Sequence, residues 1–192
     1  MSVEMMTGNK LLVVVDVQND FVDGVLGTHE AQAIIPNIAD KIKHWDGAII
    51  STFDTHDSDY LNTNESKHLP IPHCIKNTWG WQQNSEVAAI LDAKRNEAKF
   101  PKTGVWFLDK ATFGNKTLQV VSWKGYYDYI EFIGLCTDIG VMTKALYLKI
   151  EYPEYTIAVD PTCCAGTTPE NHKAALTTMK MCQIEILGES NE

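Results

Sequence analysis

The chain of 192 residues is 44% hydrophobic and 21% charged, and its formal net charge is −9. This composition excludes collagen-like and disordered classes. The acidic balance disfavours nucleic acid and anionic membranes as partners, because phosphate groups are bound by basic surfaces. The length suits a single domain, residues 1–192. The five cysteines form a poor disulfide framework, and the N-terminus lacks a long apolar stretch. We therefore expect a cytoplasmic protein.

Short apolar runs alternate with segments of helical period along the chain. Strands are predicted at residues 11–15, 48–53, 129–135, 156–159 and 184–187, with a weaker one near 97–100. Helices are predicted at residues 31–45, 137–150 and 169–182. Near-continuous β-branched runs are typical of parallel strands that are buried on both faces. The alternation therefore predicts an α/β domain with a parallel sheet of six strands.

Polar residues follow several of the predicted strands. Asp16 follows the strand at residues 11–15, and Asp54 and His56 follow the strand at residues 48–53. Cys136 follows the strand at residues 129–135, which is the fourth when the weak strand near 97–100 is counted. Ligands of open α/β sheets bind beyond the carboxyl ends of the strands. These side chains are therefore expected to meet in one pocket.

Asp16 and Lys110 each allow two interpretations. A carboxylate at a strand end can act as a general base, and it can equally be a turn or cap residue. A lysine is usually solvated, but in a pocket it can stabilise a thiolate or a carboxylate. The residues alone leave both alternatives open.

The segment after the second strand is rich in metal-ligand types. Asp54 and His56 lie two apart on an extended segment, and Glu65 and His73 follow in a polar loop. Two imidazoles and a carboxylate can hold a divalent transition metal and leave positions open for water or substrate. The alternative is a set of ordinary surface loop residues.

Residues 134–141 join the fourth strand to a helix. The N-terminus of a helix can lower the pKa of a thiol and can supply the N–H groups of an oxyanion hole. Cys136 is the thiol in this segment, yet it stands before the turn. A buried and inert cysteine is the alternative interpretation.

Taken in order, these motifs resemble the isochorismatase-like cysteine hydrolases, most closely the nicotinamidase/pyrazinamidase branch. The resemblance runs from Leu11 to about Ile186. It rests on the segments Asp16-Val-Gln-Asn-Asp-Phe21, Asp54-Thr-His56, residues 65–73, Asp109-Lys110 and residues 134–141. It implies a three-layer α/β/α, Rossmann-like fold with a parallel six-stranded sheet, a small pyridine-type carboxamide as substrate, and a homo-oligomer.

The resemblance also implies roles for individual residues. Asp16 matches the general acid/base, and Lys110 matches the catalytic lysine. Phe21 matches an aromatic residue that packs on the substrate ring. A cis peptide at Leu135–Cys136 would direct backbone N–H groups of Cys136 and residue 140 into an oxyanion hole. The metal ligands would be Asp54, His56 and His73, with Glu65 as a fourth ligand. The expected metal is a divalent transition ion, zinc first, with iron or manganese as alternatives.

One position departs from the family pattern. That pattern reads Thr-Asp-x-Cys-Val, and the nucleophilic cysteine is replaced here by Gly140. Cys136 is not expected to substitute, because a nucleophile must lie within about 3–3.5 Å of the reacting carbonyl. The chain as written is therefore expected to be an inactive amidohydrolase.

Two origins for Gly140 remain open. The chain is either an altered form of an active enzyme, which the otherwise intact motifs favour, or a natural pseudoenzyme that binds a ligand. In the first case, Gly140→Cys is expected to give ammonia release from nicotinamide. A hydrolase of another small substrate, such as an isochorismate-type vinyl ether or a carbamoyl compound, is a further alternative.

Overall fold

A computed structural model describes residues 9–97, 103–114 and 127–189. The strands are Lys10–Val15 (β1), Ala48–Asp54 (β2), Val105–Lys110 (β3), Tyr129–Leu135 (β4), Thr156–Ala165 (β5) and Glu185–Ile186 (β6). The helices are Asn19–Val22 (α1), His29–Ala33 (α2), Ile35–His44 (α3), Ser85–Glu97 (α4), Met142–Glu151 (α5) and Pro169–Met181 (α6). Two 3₁₀ turns, Tyr60–Asn62 and Glu65–Lys67, follow β2, and a π-type turn, Thr137–Val141, precedes α5.

The six strands form one parallel sheet in the order β3-β2-β1-β4-β5-β6, which confirms the predicted fold class. The strand order reverses between β1 and β4, so these neighbours define a topological switch point, where α/β sheets open a crevice. Val15 of β1 is aligned with Gly134 of β4. Gly134 has a φ of +113°, and a Cβ there would collide with the backbone of Val15. Glycine therefore lets the ends of β1 and β4 lie close together.

Alternate side chains of the central strands pack into two separate cores. Val13 belongs to the core that also holds buried residues of α5 and α6, whereas Val14 belongs to the core with α2, α3 and α4. Both valines are fully buried. Burial on both faces explains why β1 is a continuous apolar run and not an alternating one. The helices thus cover the two faces of the sheet, as the three-layer expectation required.

The helices have the helical period that the sequence predicts, but the bounds of the first predicted helix change. Ile35, Ile38 and Ile42 are buried on one face of α3, but the helix predicted over residues 31–45 is divided at Ile34 into α2 and α3. Pro36 in the first turn of α3 explains the break, since it has no backbone N–H to donate to the carbonyl of Gln32 in a continuous helix. In α6, Ala175 and Met179 are buried and Ala174 is exposed, so the buried stripe runs through Ala175.

The location of the weak strand near residues 97–100 is also wrong. Glu97 ends helix α4, residues 98–100 lie outside the described residues, and the missing strand is β3. β3 lies at the edge of the sheet, so several of its side chains are partly exposed and its sequence includes Asp109 and Lys110. The apolar run that marks a central strand is therefore broken in β3. Among the described helices, none has the length and apolar character that crossing a bilayer requires.

Candidate active site and metal cluster

Asp16 stands directly after β1, at the switch point between β1 and β4. Its carboxylate is buried, and its Oδ1 accepts a hydrogen bond of 2.6 Å from the hydroxyl of Thr52 on β2. Its Oδ2 lies 2.9 Å from the Nζ of Lys110. The backbone of Asp16 is in the left-handed region with a φ of 49°, which aspartate tolerates better than most residues. Asp16 is thus a buried, paired carboxylate and not a solvated turn residue.

Lys110 is the last residue of β3, and its register partner on β2 is Asp54. Its Nζ donates 2.7 Å to Oδ1 of Asp54 and lies 2.9 Å from Asp16. Burial alone would lower the pKa of Lys110, but the charges of Asp16 and Asp54 outweigh burial and raise it. Lys110 is therefore a buried ammonium that bridges two carboxylates, which excludes the solvated alternative.

The four predicted ligands meet beside this bridge. One ligand atom from each of Asp54, His56, Glu65 and His73 lies within 4.8 Å of the others. The Nε2 atoms of His56 and His73 lie 3.0 and 3.4 Å from Oδ2 of Asp54. A tetrahedral ion with bonds of 2.0–2.1 Å would place its ligand atoms about 3.4 Å apart. The arrangement therefore fits a divalent transition ion after small adjustments.

The chemistry of the donors fits the same ion. Burial opposes ionisation of Asp54, but hydrogen bonds from His56 and His73 and the charge of Lys110 overcome it and lower the pKa of Asp54. Asp54 is thus an anion that an ion could coordinate. The Nδ1 of His73 lies 2.8 Å from the carbonyl of Ile71, which leaves Nε2 directed at the cluster. Such outer hydrogen bonds are typical of histidine ligands of metals.

The loop that carries His56 and His73 is itself held in place. His56 donates its backbone N–H to the carbonyl of Cys74, and the N–H of Cys74 donates 2.7 Å to the carboxylate of Asp20. Asp20 is therefore a structural residue, because its carboxylate anchors this loop. Tyr60 is buried, and its ring contacts both imidazoles, with centroids 4.7 and 5.1 Å away. Phe21 contacts His73 edge-on at 5.6 Å between centroids.

Tyr60 was not singled out from the sequence. A large aromatic between polar loop residues was the available signal, since such a side chain needs a buried position. Its hydroxyl donates 2.8 Å to the carbonyl of Leu69. The Tyr60 ring thus packs against the two histidines of the candidate metal site, on the side that faces the loop.

Cys136 and Gly140 lie on the connection between β4 and α5. The peptide between Leu135 and Cys136 is cis, as the resemblance implied. Burial, together with the charges of Asp138 and Asp16, raises the pKa of the Cys136 thiol to about 12. The thiol is therefore neutral near pH 7, as an inert cysteine would be.

Gly140 faces Asp16. A Cβ built on Gly140 would lie 3.3 Å from Oδ2 of Asp16 and 3.2 Å from Cγ1 of Val15. Asp16, Lys110 and position 140 therefore converge, and a side chain at position 140 would stand beside the carboxylate. Glycine offers no nucleophile there.

Lys144 is a buried residue of this site that the sequence analysis missed. It is 1% exposed, and its Nζ lies 3.6 Å from Oδ2 of Asp16 and 3.4 Å from the carbonyl oxygen of Gly140. The signal was present, because position 144 continues the buried stripe of Val141, Ala145 and Leu148 at helical spacing. A charged residue in such a stripe needs a partner. Burial lowers the pKa of Lys144 to about 8, with the charge of Lys110 assisting and that of Asp16 opposing.

A separate cavity of about 360 Å³ lies on the face of the sheet covered by α4. Phe53, Trp81 and Phe107 are among its lining residues. Phe53 alternates with Thr52 and Asp54 along β2 and so faces away from them. This cavity is therefore distinct from the charged cluster and contains none of the residues predicted for catalysis.

The fold and the cluster together define a parallel α/β domain whose charged site lies beyond the ends of β1, β2, β3 and β4. Comparison with known proteins agrees: the family model described as the isochorismatase domain matches residues 10–189. The chain belongs to the isochorismatase domain family. It is similar to a nicotinamidase of Schizosaccharomyces pombe, at 26% identity over 97% of this chain and 96% of that relative.

The chain is also similar to solved structures of nicotinamidases and pyrazinamidases. A pyrazinamidase/nicotinamidase of Streptococcus mutans is 27% identical, with a TM-score of 0.77 over 93% of this chain and 100% of that one. A pyrazinamidase of Pyrococcus horikoshii, solved in complex with zinc, superimposes with a TM-score of 0.71 at 22% identity, over 93% of this chain and 98% of that one. At that identity, the second likeness is evidence for the fold alone.

Proposed function

We propose that this site binds a small pyridine-type carboxamide in the manner of a nicotinamidase, and that the chain as it stands does not hydrolyse it. The observation that carries the proposal is the meeting of Asp16, Lys110 and the metal cluster around a position that lacks a side chain, Gly140. The cytoplasmic location, the homo-oligomeric state and the single-domain organisation stay predictions from the sequence.

Each predicted residue has a role in this proposal. Asp54, His56, Glu65 and His73 would hold a divalent transition ion, zinc first, which would supply a Lewis acid that orients the ring nitrogen or a water molecule. Phe21, half-buried against His73, would pack on the substrate ring. Backbone N–H groups of Cys136 and residue 140 would donate to a developing oxyanion.

The missing step is nucleophilic attack. With a thiol at position 140, Asp16 would accept its proton and Lys110 would stabilise the resulting charge. Asp16 would then return the proton to the departing ammonia, and water would hydrolyse the thioester. Loss of the nucleophile from such a unit can lower kcat by about 10⁶-fold. The wild-type chain is therefore expected to release no measurable ammonia.

Lys144 lies where a side chain at position 140 would extend, and this affects how the missing nucleophile can be restored. The Cβ of a residue at position 140 would lie 3.2 Å from the Nζ of Lys144, so a thiol and this ammonium compete for space. We therefore expect the double variant Gly140→Cys/Lys144→Ala to release ammonia from nicotinamide more readily than Gly140→Cys alone. The measurement is an ammonia assay with zinc-loaded protein.

The matched control is Gly140→Ala/Lys144→Ala, which has the same cavity and backbone but no thiol. It is expected to bind nicotinamide, seen as a rise in melting temperature, without releasing ammonia. A folded double cysteine variant that stays silent on a panel of small amides would contradict the hydrolase part of the proposal. If nicotinamide also raises the melting temperature of none of the variants, the binding part of the proposal is wrong as well.

A further inference from the structure

Lys144 brings an amine into the place from which the family nucleophile is missing. The residue lies in the first turn of α5 and is 1% exposed. Among the residues that the structure describes, its Nζ has two contacts, both long: 3.4 Å to the carbonyl oxygen of Gly140 and 3.6 Å to Asp16. An ammonium has three N–H donors, so a buried one with two long contacts is poorly satisfied. The group therefore has N–H donors that its neighbours in the described part of the chain do not use.

Gly140 and Lys144 form one unit. They are four residues apart, so one helical turn places them on the same face. A Cβ on residue 140 would lie 3.2 Å from the Nζ of Lys144. The absence of a side chain at position 140 thus creates the space that the amine occupies.

The surroundings of Lys144 increase the neutral fraction of its amine. Lys110 lies closer to Asp16, at 2.9 Å, and also contacts Asp54, so the negative charge of Asp16 is already shared. Burial lowers the pKa of Lys144 to about 8. Roughly a tenth of such an amine is neutral at pH 7, against roughly one part in 2,500 for a lysine with an ordinary pKa. Desolvation and a neighbouring cation are established ways to activate a lysine.

An amide is the wrong electrophile for this amine. Attack on a carboxamide would expel ammonia and leave an acyl group on Nζ, which is again an amide and as stable as the substrate. Attack on an aldehyde or ketone is reversible and loses only water. We propose that Lys144 forms a Schiff base with small carbonyl compounds that enter this site.

The step balances without an oxidant or reductant. The nitrogen lone pair of Lys144 forms a bond to the carbonyl carbon, and the C=O π pair moves to the oxygen. Asp16, 3.6 Å from Nζ, takes one N–H proton, directly or through one water, and delivers it to that oxygen to give a carbinolamine. Asp16 then transfers the second N–H proton to the hydroxyl group, which leaves as water while the nitrogen lone pair forms the C=N bond. The overall change is R–CHO plus lysine amine to imine plus water.

Reductive trapping tests this proposal on the full chain. The protein is incubated at pH 7 with sodium cyanoborohydride and either pyridine-3-carbaldehyde or propanal, and the labelled lysines are quantified by peptide mass spectrometry. Lys43 is the exposed reference, and Lys149 is the reference on the same helix. We expect Lys144 to be labelled at least about tenfold faster than either reference. Its neutral fraction at pH 7 is roughly 200-fold larger, and its burial and lower basicity offset part of that gain.

Two variants and a pH series sharpen the result. Lys144→Met is expected to remove one rapidly labelled site and to leave the rate at Lys43 unchanged. Lys149→Met is expected to leave the rate at Lys144 unchanged. In the wild-type protein, labelling of Lys144 is expected to level off above about pH 8, whereas the rate at Lys43 continues to rise. Circular dichroism checks that each variant is folded.

The proposal is overturned if Lys144 stays unlabelled in folded protein while Lys43 reacts, if both react at the same rate, or if Lys144 reacts only in urea. Labelling by propanal but not by pyridine-3-carbaldehyde supports the reactive amine and contradicts the pyridine site of the proposed function. If neither aldehyde labels Lys144 but the double cysteine variant releases ammonia, the amine proposal fails alone.

Discussion

One buried row of charges has two ends that differ in kind. The metal end is the cluster of proposed ligands, Asp54, His56, Glu65 and His73, and the other end surrounds Gly140. At the metal end, His73 is oriented by the carbonyl of Ile71, and Asp54 by a hydrogen bond from Lys110. At the other end, a side chain is absent at Gly140, and Lys144 fills the space. Lys110 joins the two ends through Asp54 and Asp16. One end of the row thus presents side chains of metal-ligand types, whereas the other presents a buried amine beside a glycine.

Removal of Asp54 tests the metal end and has the largest expected effect. Asp54→Ala deletes an acceptor of Lys110 and the carboxylate shared by His56 and His73. Breaking a buried ion pair by removing one partner costs about 3–5 kcal/mol. We expect urea denaturation to show a loss of free energy of unfolding in that range, and calorimetry to show loss of zinc binding.

Asp57→Ala is the control, because Asp57 is an exposed carboxylate in the same loop. It should change the free energy of unfolding by less than about 0.5 kcal/mol and leave zinc affinity unchanged. Zinc binding by Asp54→Ala with wild-type affinity would remove Asp54 from the ligand set.

Replacement of Lys144 tests the end at Gly140. It is expected to raise the free energy of unfolding, whereas Asp54→Ala lowers it. The pKa of Lys144 is about 8 in the folded chain and near its ordinary value of about 10.4 when unfolded. Between these values the unfolded chain binds more protons, so stability rises with pH across this window. Below pH 8 the buried amine therefore lowers stability, by about 3 kcal/mol.

We accordingly expect Lys144→Met to raise the free energy of unfolding at pH 7 by about 3 kcal/mol, with the difference from wild type narrowing as the pH approaches 10. Urea denaturation at pH 7, 8, 9 and 10 measures this. The matched control is Lys149→Met, since the Lys149 ammonium contacts the carbonyls of Pro153 and Tyr155 near the surface. A gap between Lys144→Met and wild type that does not depend on pH would mean that the amine has an ordinary pKa.

The sequence predicted the sheet and most of the site because both follow from local pattern. Buried parallel strands are apolar runs, and polar residues that follow them must converge at one edge of the sheet. Asp16, Asp54 and His56 were placed in this way. The position of β3 was not predictable, since an edge strand with partly exposed side chains leaves a weak signal. The pairing of Lys110 with Asp54 therefore depended on a register that only the structure provides.

Glu65 and Lys144 illustrate two different reasons why the rest of the site is hard to predict from the sequence. Glu65 lies on a short 3₁₀ turn in a long loop, and no periodicity relates such a residue to His56. Lys144 was accessible to pattern reasoning, because it shares a helical stripe with Val141 and Ala145. A charged residue in an apolar stripe was thus the overlooked signal, and it marks a buried amine beside Gly140.

Replacement of the Cys136 thiol should have the smallest effect of all on activity. It tests whether this thiol, and not a residue at position 140, could act as the nucleophile. With a pKa of about 12, only roughly one thiol in 10⁵ is ionised at pH 7, so Cys136 cannot replace a nucleophile at position 140. We expect Cys136→Ala to leave the labelling of Lys144 unchanged, and the triple variant with Gly140→Cys/Lys144→Ala to retain its ammonia release. Alanine keeps the backbone N–H of residue 136, so an oxyanion hole built from that group survives the change. Thiol reagents at pH 8 should modify the exposed Cys182 well before Cys136. Loss of ammonia release in the triple variant would instead show that the thiol before the turn takes part in the chemistry.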